Sequence, residues 1–259
     1  MGKEGKYIYC ITGIRDKGSF GPIGIGGRDD EVYTLCYKDL AAIISDSPLT
    51  KYPISRENTL THQRVMEEVM KYHTILPVKF GTIAETRNGT APEENIRNRV
   101  LKERYEELQG LLESMNNKVE LGVKALWAEM KMIFGEIVDE NREIKRLRNW
   151  IAARPASQTR DAKIKLGEMV QSALQKKKSR EEKVILDVLK RISVDYRINR
   201  VFGDRMILNS AFLVETDRKE KEFDNLINEL SVKSEGTMKL KYVGPTPPCN
   251  FVELVITWE

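Results

Sequence analysis

The sequence predicts an α+β protein of two domains, and three patterns carry that expectation. Short runs rich in aromatic and β-branched residues, at 6–12, 31–36 and 40–45, read as strands early in the chain. Apolar residues at helical spacing dominate 60–73 and 96–115. From residue 119 onwards the order becomes strand, helices, strand, strand, helix, strand. That is a split βαβ, ferredoxin-like succession with helices on one face of an antiparallel sheet. With the boundary at Asn116, the expectation is an N-terminal mixed α+β sheet domain over 1–116 and a ferredoxin-like domain over 117–259. The second domain carries an extended helical hairpin at about 129–192.

Composition narrows the function classes. The 259 residues, 41% of them hydrophobic, can build real cores. Lys+Arg 43 against Asp+Glu 39 leave a formal charge of +4 with no long single-sign block, which permits nucleic acid or an acidic surface as partner and favours neither. No apolar run approaches the roughly 20 residues of a bilayer span. The first ten residues also lack an apolar signal core, so a cytoplasmic protein without membrane insertion is expected. Cys10, Cys36 and Cys249 are odd in number and far apart, which suggests neither a disulfide framework nor a zinc site.

After the first strand, Gly21, Gly24, Gly26 and Gly27 imitate a phosphate cradle. They lead into Arg28-Asp29-Asp30-Glu31 and a strand rather than opening a helix, so a mobile surface loop without nucleotide is expected. Two strands follow around a Tyr37-Lys38-Asp39 turn, and Pro48 and Pro53 mark the connection to the first helix.

Ser55 is placed to cap that helix and Glu57 to favour its positive end. Leu60, His62, Val65, Met66, Val69, Met70 and His73 fall along one side. Pro77 pushes Leu76 towards extended geometry, so the helix ends before a strand that runs to Phe80 and Gly81. His62 and His73 are the only histidines. On a continuous helix they stand roughly 16 Å apart, too far to share one metal ion. His62 reads as a core-edge histidine bonded to a backbone carbonyl or a carboxylate, and His73 as a dipole partner at the helix end.

Thr90 and Glu93 have capping-box spacing, with Pro92 in the first turn. Ile96, Val100, Leu101, Tyr105, Leu108, Leu112 and Met115 predict one long helix to Asn116-Asn117. Val119, Leu121, Val123, Ala125 and Trp127 alternate with Glu120, Gly122 and Lys124 as a strand. One long helix is then expected from Met130 to near Arg154-Pro155 and another over 164–192. Lys176, Lys177 and Lys178 form the one basic cluster. Glu181 and Glu182 follow and no aromatic residues are interleaved, so it reads as a solvated helix face. Strands at 194–202 and 206–215 flank a two-residue Gly203-Asp204 turn. Asp217 and Glu220 have capping-box spacing for a helix burying Phe223, Leu226, Ile227 and Leu230. A strand at 237–243, a rigid turn, and a last strand or extension at 251–258 complete the chain.

Taken together, YIYCIT, PIGIGG, DLAAIISD, the Thr61-His62 helix followed by ILPVKFGT, ELGVKALW, AFLVE and GPTPPCNF resemble the gas vesicle accessory proteins GvpF and GvpL over the whole chain. The motif positions are His62, Leu76, Pro77, Phe80, Gly81, Glu120, Gly122, Gly244, Pro245, Pro247 and Pro248, and the resemblance marks them as mainly structural. Thr246 and Cys249 stand where the family tends to carry aromatic residues, and 158–180 looks peculiar to this member or a longer branch. The resemblance implies a cytoplasmic, vesicle-associated protein that is not an enzyme and has no catalytic, cofactor or metal residues. Its implied partners are the hydrophobic gas vesicle shell protein and other accessory proteins, in a chaperone-like or minor-component role. Two rivals come from other classes: an RNA-binding ferredoxin-like sheet using Lys176, Lys177 and Lys178, and an enzyme using His62 with Lys79 or Glu85.

Overall fold

The computed structural model describes residues 4–48, 51–216 and 218–258. The chain forms two compact units, Met1–Glu120 with Pro245–Glu259, and Leu121–Gly244. The sequence reading assigned 245–259 to the second domain; backbone hydrogen bonds instead tie this tail to 77–79 in the first unit.

In the first unit, β1 (Gly5–Thr12), β2 (Ser19–Gly21), β3 (Val32–Tyr37) and β4 (Leu40–Ser47) precede α1 (Arg56–Met70), β5 (Ile75–Pro77) and β6 (Ile83–Ala84). Then come α2 (Pro92–Asn95), a π-helical stretch (Ile96–Lys102) and α3 (Tyr105–Met115). The sheet order is β2-β3-β4-β1-β5, with β6 also on β1. β1 is buried on both faces because each face has its own core. Ile8, Ile11, Ile44, Leu76, Ile96 and Leu108 share one core, while Tyr7, Tyr9, Val65 and Val69 belong to the other.

Ser55 caps α1 as expected, accepting from the Asn58 N–H at 3.1 Å. His62, Val65, Met66 and Val69 are its buried residues, whereas Leu60 is exposed. The glycine-rich passage lies at the surface, exposed over 26–29, but it is anchored to the sheet at Ile25. β2 pairs with β3, Ile25 is fully buried, and the Ile25 N–H donates to the Tyr9 hydroxyl at 2.8 Å. A Cβ on Gly26, at φ +97°, would stand 3.0 Å from the Tyr52 ring, so glycine lets the loop lie flat on that ring.

The Thr90 capping box does not form. Ala91 occupies the cap with Pro92 behind it, and Thr90 exchanges backbone hydrogen bonds with Arg87 at 2.8 and 3.1 Å. The single long helix is also interrupted, by the π-helical stretch and by Arg104 at φ −103° and ψ 21°. The wider π turn buries both Val100 and Leu101.

The second sheet uses β7 (Lys118–Trp127), which leaves the first unit after Glu120, then β8 (Asp195–Ile198), β9 (Met206–Glu215) and β10 (Met238–Thr246). Between β7 and β8 lie α4 (Met130–Glu140), α5 (Arg142–Ala152), a 3-10 turn (Ala156–Gln158) and α6 (Arg160–Leu189); α7 (Arg218–Lys233) joins β9 to β10. The order β10-β7-β9-β8 is that of the ferredoxin-like succession. Phe212 and Phe223 are fully buried, with ring centroids 5.4 Å apart. The helix expected from Met130 breaks at Asn141, whose backbone is extended and whose side-chain amide donates to the Ile137 carbonyl at 2.7 Å. The β8–β9 turn is longer than two residues: the Asn199 N–H donates to the Asn209 carbonyl at 2.7 Å and regular pairing stops there. Asp217 lies outside the described residues. The 251–258 stretch is an extension with one parallel bridge, Leu254 to Val78, and not a strand. Among the described residues no helix is long and apolar enough to cross a membrane.

Candidate functional site

The described residues form a His62 cluster, a Glu120 cluster and a groove between α5 and α6. His62 is 6% exposed. The Tyr7 hydroxyl accepts from the Gly81 N–H at 3.0 Å and lies 3.0 Å from His62 Nδ1, so its own proton is available to that nitrogen. The imidazole stacks on Tyr9, with centroids 5.7 Å apart, and meets Phe80 edge-on at 5.6 Å. Burial lowers the His62 pKa to about 4, against the opposing pull of the Val78 backbone, so the ring is neutral near pH 7. Gly81, at φ +83°, turns its amide to the phenol in a conformation other residues resist. His62 is therefore a packed, hydrogen-bonded core residue, with the expected backbone partner at Val78 and a phenol, Tyr7, as a second one. His73 stands beyond the α1 cap at Lys71.

The segment following Leu76 is held from two sides. The Val78 N–H donates to the Tyr9 carbonyl at 3.0 Å, the Lys79 N–H to the Leu254 carbonyl at 3.0 Å, and the Leu254 N–H to the Pro77 carbonyl at 2.7 Å. The terminal turn makes this return feasible. Pro247 and Pro248 are buried, and the Phe251 and Val252 N–H groups both donate to the Pro248 carbonyl at 3.0 Å. Glu120, 6% exposed, receives both the backbone and the side-chain amide of Asn250. Burial raises the Glu120 carboxyl pKa while the Asn250 bonds oppose the rise. Thr246, in a place usually aromatic in the resembled family, donates its hydroxyl to the Glu120 carbonyl at 3.2 Å. Gly244 and Pro245 are exposed at the end of β10. A Cβ on Gly122 would make ordinary contact with the Val243 carbonyl at 3.6 Å, and nothing in the structure explains that glycine.

Lys79 and Glu85 are exposed whereas His62 is buried, so neither pair proposed for an enzyme shares an accessible site. The triple lysine does not form one basic face. Lys177 pairs with Glu136 at 3.0 Å and Glu140 at 3.2 Å, Lys178 is buried and donates to the Gly203 carbonyl at 2.8 Å, and Lys176 is exposed. Among the described residues no group of three His, Cys, Asp or Glu side chains could hold a metal ion.

An open groove of about 600 Å³ runs between α5 and α6, lined by Leu147, Trp150 and Met169 and edged by Arg146, Asp161 and Lys165. Trp150 is 40% exposed, with the Arg154 guanidinium 4.0 Å from its ring centroid. The sequence places Leu147 and Trp150 in the helix expected from Met130 and gives Trp150 no role. The buried tyrosine cluster and Asn250 were also missed, although tyrosines alternating through 7–9 were a visible signal.

The family model described as gas vesicle synthesis protein GvpL/GvpF matches residues 5–253. The chain belongs to the GvpL/GvpF family. A gas vesicle protein F from Streptomyces sp. (strain CB03234) is 32% identical over 230 residues, covering 89% of this chain and 91% of the relative. Gas vesicle protein F1 of Halobacterium salinarum (strain ATCC 700922 / JCM 11081 / NRC-1) is 26% identical over 242 residues, covering 91% and 87%. The crystal structure of GvpF from Anabaena sp. PCC7120 matches with a TM-score of 0.81 at 22% identity, covering 97% of this chain and 99% of that one. GvpF from Microcystis aeruginosa matches with a TM-score of 0.76 at 20% identity, covering 96% and 99%. At those identities the two structures establish the fold, while family membership supports a role of this GvpL/GvpF protein in gas vesicle formation.

Proposed function

We propose that this GvpL/GvpF family member is a non-catalytic accessory factor that binds the hydrophobic gas vesicle shell subunit, together with other accessory proteins. In this reading it limits aggregation of the subunit while a vesicle nucleates, and it works in the cytoplasm and at the growing vesicle. The observation that carries the reading is the α5–α6 groove with its exposed Trp150. An amphipathic helix presents apolar side chains at three- and four-residue steps, and a groove with an apolar floor and a charged rim suits such a helix. Trp is also the side chain that most often anchors a protein contact. An unassembled shell subunit has apolar surface to hide, and a groove that covers it keeps it from other copies.

The decisive experiment is co-expression of the shell subunit with and without this chain. The proposal expects a severalfold rise in soluble subunit and a complex that survives affinity purification. Absence of any complex, at low and high salt alike, contradicts direct binding.

A further inference from the structure

We propose that β8 is a self-association edge through which two copies of this chain pair antiparallel about Tyr196, joining their four-stranded sheets into one. β8 lies at the end of its sheet and pairs with β9 alone. The Asn199 N–H points to Asn209 on β9. By the alternation of an antiparallel ladder, Tyr196 and Ile198 therefore turn their backbone groups outward. The opposite edge, β10, is blunted by the exposed residues Lys239, Lys241 and Pro245, whereas β8 carries one charge of each sign, Asp195 and Arg197. Val194, Tyr196 and Ile198 are 52%, 37% and 53% exposed. Tyr196 and Ile198 also line a groove of about 330 Å³ against Leu186, Lys183 and Lys190 of α6.

The argument for a second copy as occupant is the symmetry of the side chains. Val194-Asp195-Tyr196-Arg197-Ile198 reads apolar, acidic, aromatic, basic, apolar. Pairing Tyr196 with Tyr196 of the other copy sets Asp195 against Arg197 on both sides of the axis, while Val194 lies just before the strand and gives its N–H to the Leu213 carbonyl of β9 at 2.8 Å. The outward backbone groups make Tyr196 a hydrogen-bonded pair, so Asp195 and Arg197 fall in the flanking non-hydrogen-bonded pairs, where side chains stand closest. In the single chain Asp195 bonds Arg197 at 2.9 Å and the Tyr196 N–H at 2.8 Å. Pairing exchanges the Asp195–Arg197 contact for the same contact across the axis and moves the Tyr196 N–H from the Asp195 carboxylate to the Tyr196 carbonyl of the other copy.

The test is sedimentation equilibrium of the full chain from about 5 to about 500 μM, the range in which so small an interface would associate. The weight-average mass should climb from 29.8 kDa towards about twice that value. Arg197→Asp and Asp195→Arg each place like charges opposite one another and should weaken association at least about tenfold. Each single variant should keep the wild-type thermal midpoint, because both side chains are solvent-facing. Mixed in equal amounts, the two variants restore opposite charges at every pair and should associate as strongly as the wild type, within about threefold. Wild type that stays at monomer mass throughout overturns the proposal and leaves the edge to a different protein. Single variants that dimerise like wild type, or a mixture that does not associate, overturn the register.

Discussion

Asn250 gives Glu120 two hydrogen bonds, its backbone N–H to Oε2 at 2.8 Å and its side-chain amide to Oε1 at 2.5 Å. These bonds fasten the terminal turn to the start of β7, and the carboxylate that receives them is hidden from water. Burial raises its pKa above the usual 4.5, so the folded state holds this proton more tightly than the unfolded state. The contribution to stability is therefore most favourable below pH 4.5 and declines as pH rises through the folded value. Glu120→Gln removes the titration. The difference in thermal midpoint, wild type minus variant, should be larger at pH 4 than at pH 7; an unchanged difference would show that Glu120 does not sense its burial.

His62 carries the opposite pH dependence. Its pKa falls from 6.5 to about 4 on folding, so the unfolded state binds the proton first as the solution is acidified. This part of the stability is intact above about pH 6.5 and is lost progressively towards pH 4, amounting to about 3 kcal/mol. His62→Ala should cost about 2–4 kcal/mol at pH 7, through the cavity and the lost Tyr7 partner, and should flatten the acid limb. Urea titrations of both proteins at pH 7 and pH 5 measure this. Equal losses at the two pH values would contradict the assignment.

The glycines of the first unit should not respond equally to alanine. Gly81→Ala meets open space and bears only the left-handed backbone, a cost of about 1–2 kcal/mol. Gly26→Ala adds a 3.0 Å approach to the Tyr52 ring and should cost more, with the loss visible as faster exchange of the Ile25 amide.

Within the lysine triplet, Lys176→Ala should leave the thermal midpoint unchanged. Lys178→Ala should lower stability by about 1–3 kcal/mol, because it frees the Gly203 carbonyl and empties a buried position. Denaturant midpoints of the two variants decide the matter, and equal midpoints would refute the distinction.

Where the chain could be read from its sequence, local signals and tertiary demands agreed. Ser55 caps α1, Pro77 ends the turn region as extended chain, and the alternation from Val119 to Trp127 is one buried face of β7. The readings that failed rest on long-range contacts that local pattern does not encode. Ile25 is buried because the Tyr9 hydroxyl, on another strand, receives its amide. Leu254 belongs with Pro77 because a proline turn sends the tail back across the chain. The break at Asn141 had a local cause, an amide that competes for the Ile137 carbonyl, yet the apolar stripe across it looked continuous. Of the motif residues, His62 and Gly81 both meet the Tyr7 hydroxyl, and Pro247 and Pro248 are buried in the terminal turn. The groove beside Trp150 was not legible, since an exposed tryptophan on a helix looks the same in sequence as a buried one.

The proposed occupant of the α5–α6 groove is the shell subunit. The most direct test is co-purification of the shell subunit with wild type and with Trp150→Ala combined with Leu147→Asp, both proteins first matched for thermal midpoint. The double variant should lose at least about tenfold of the bound subunit, the effect expected from removing a central aromatic anchor. Retention of the subunit at the wild-type level by a folded double variant would contradict it.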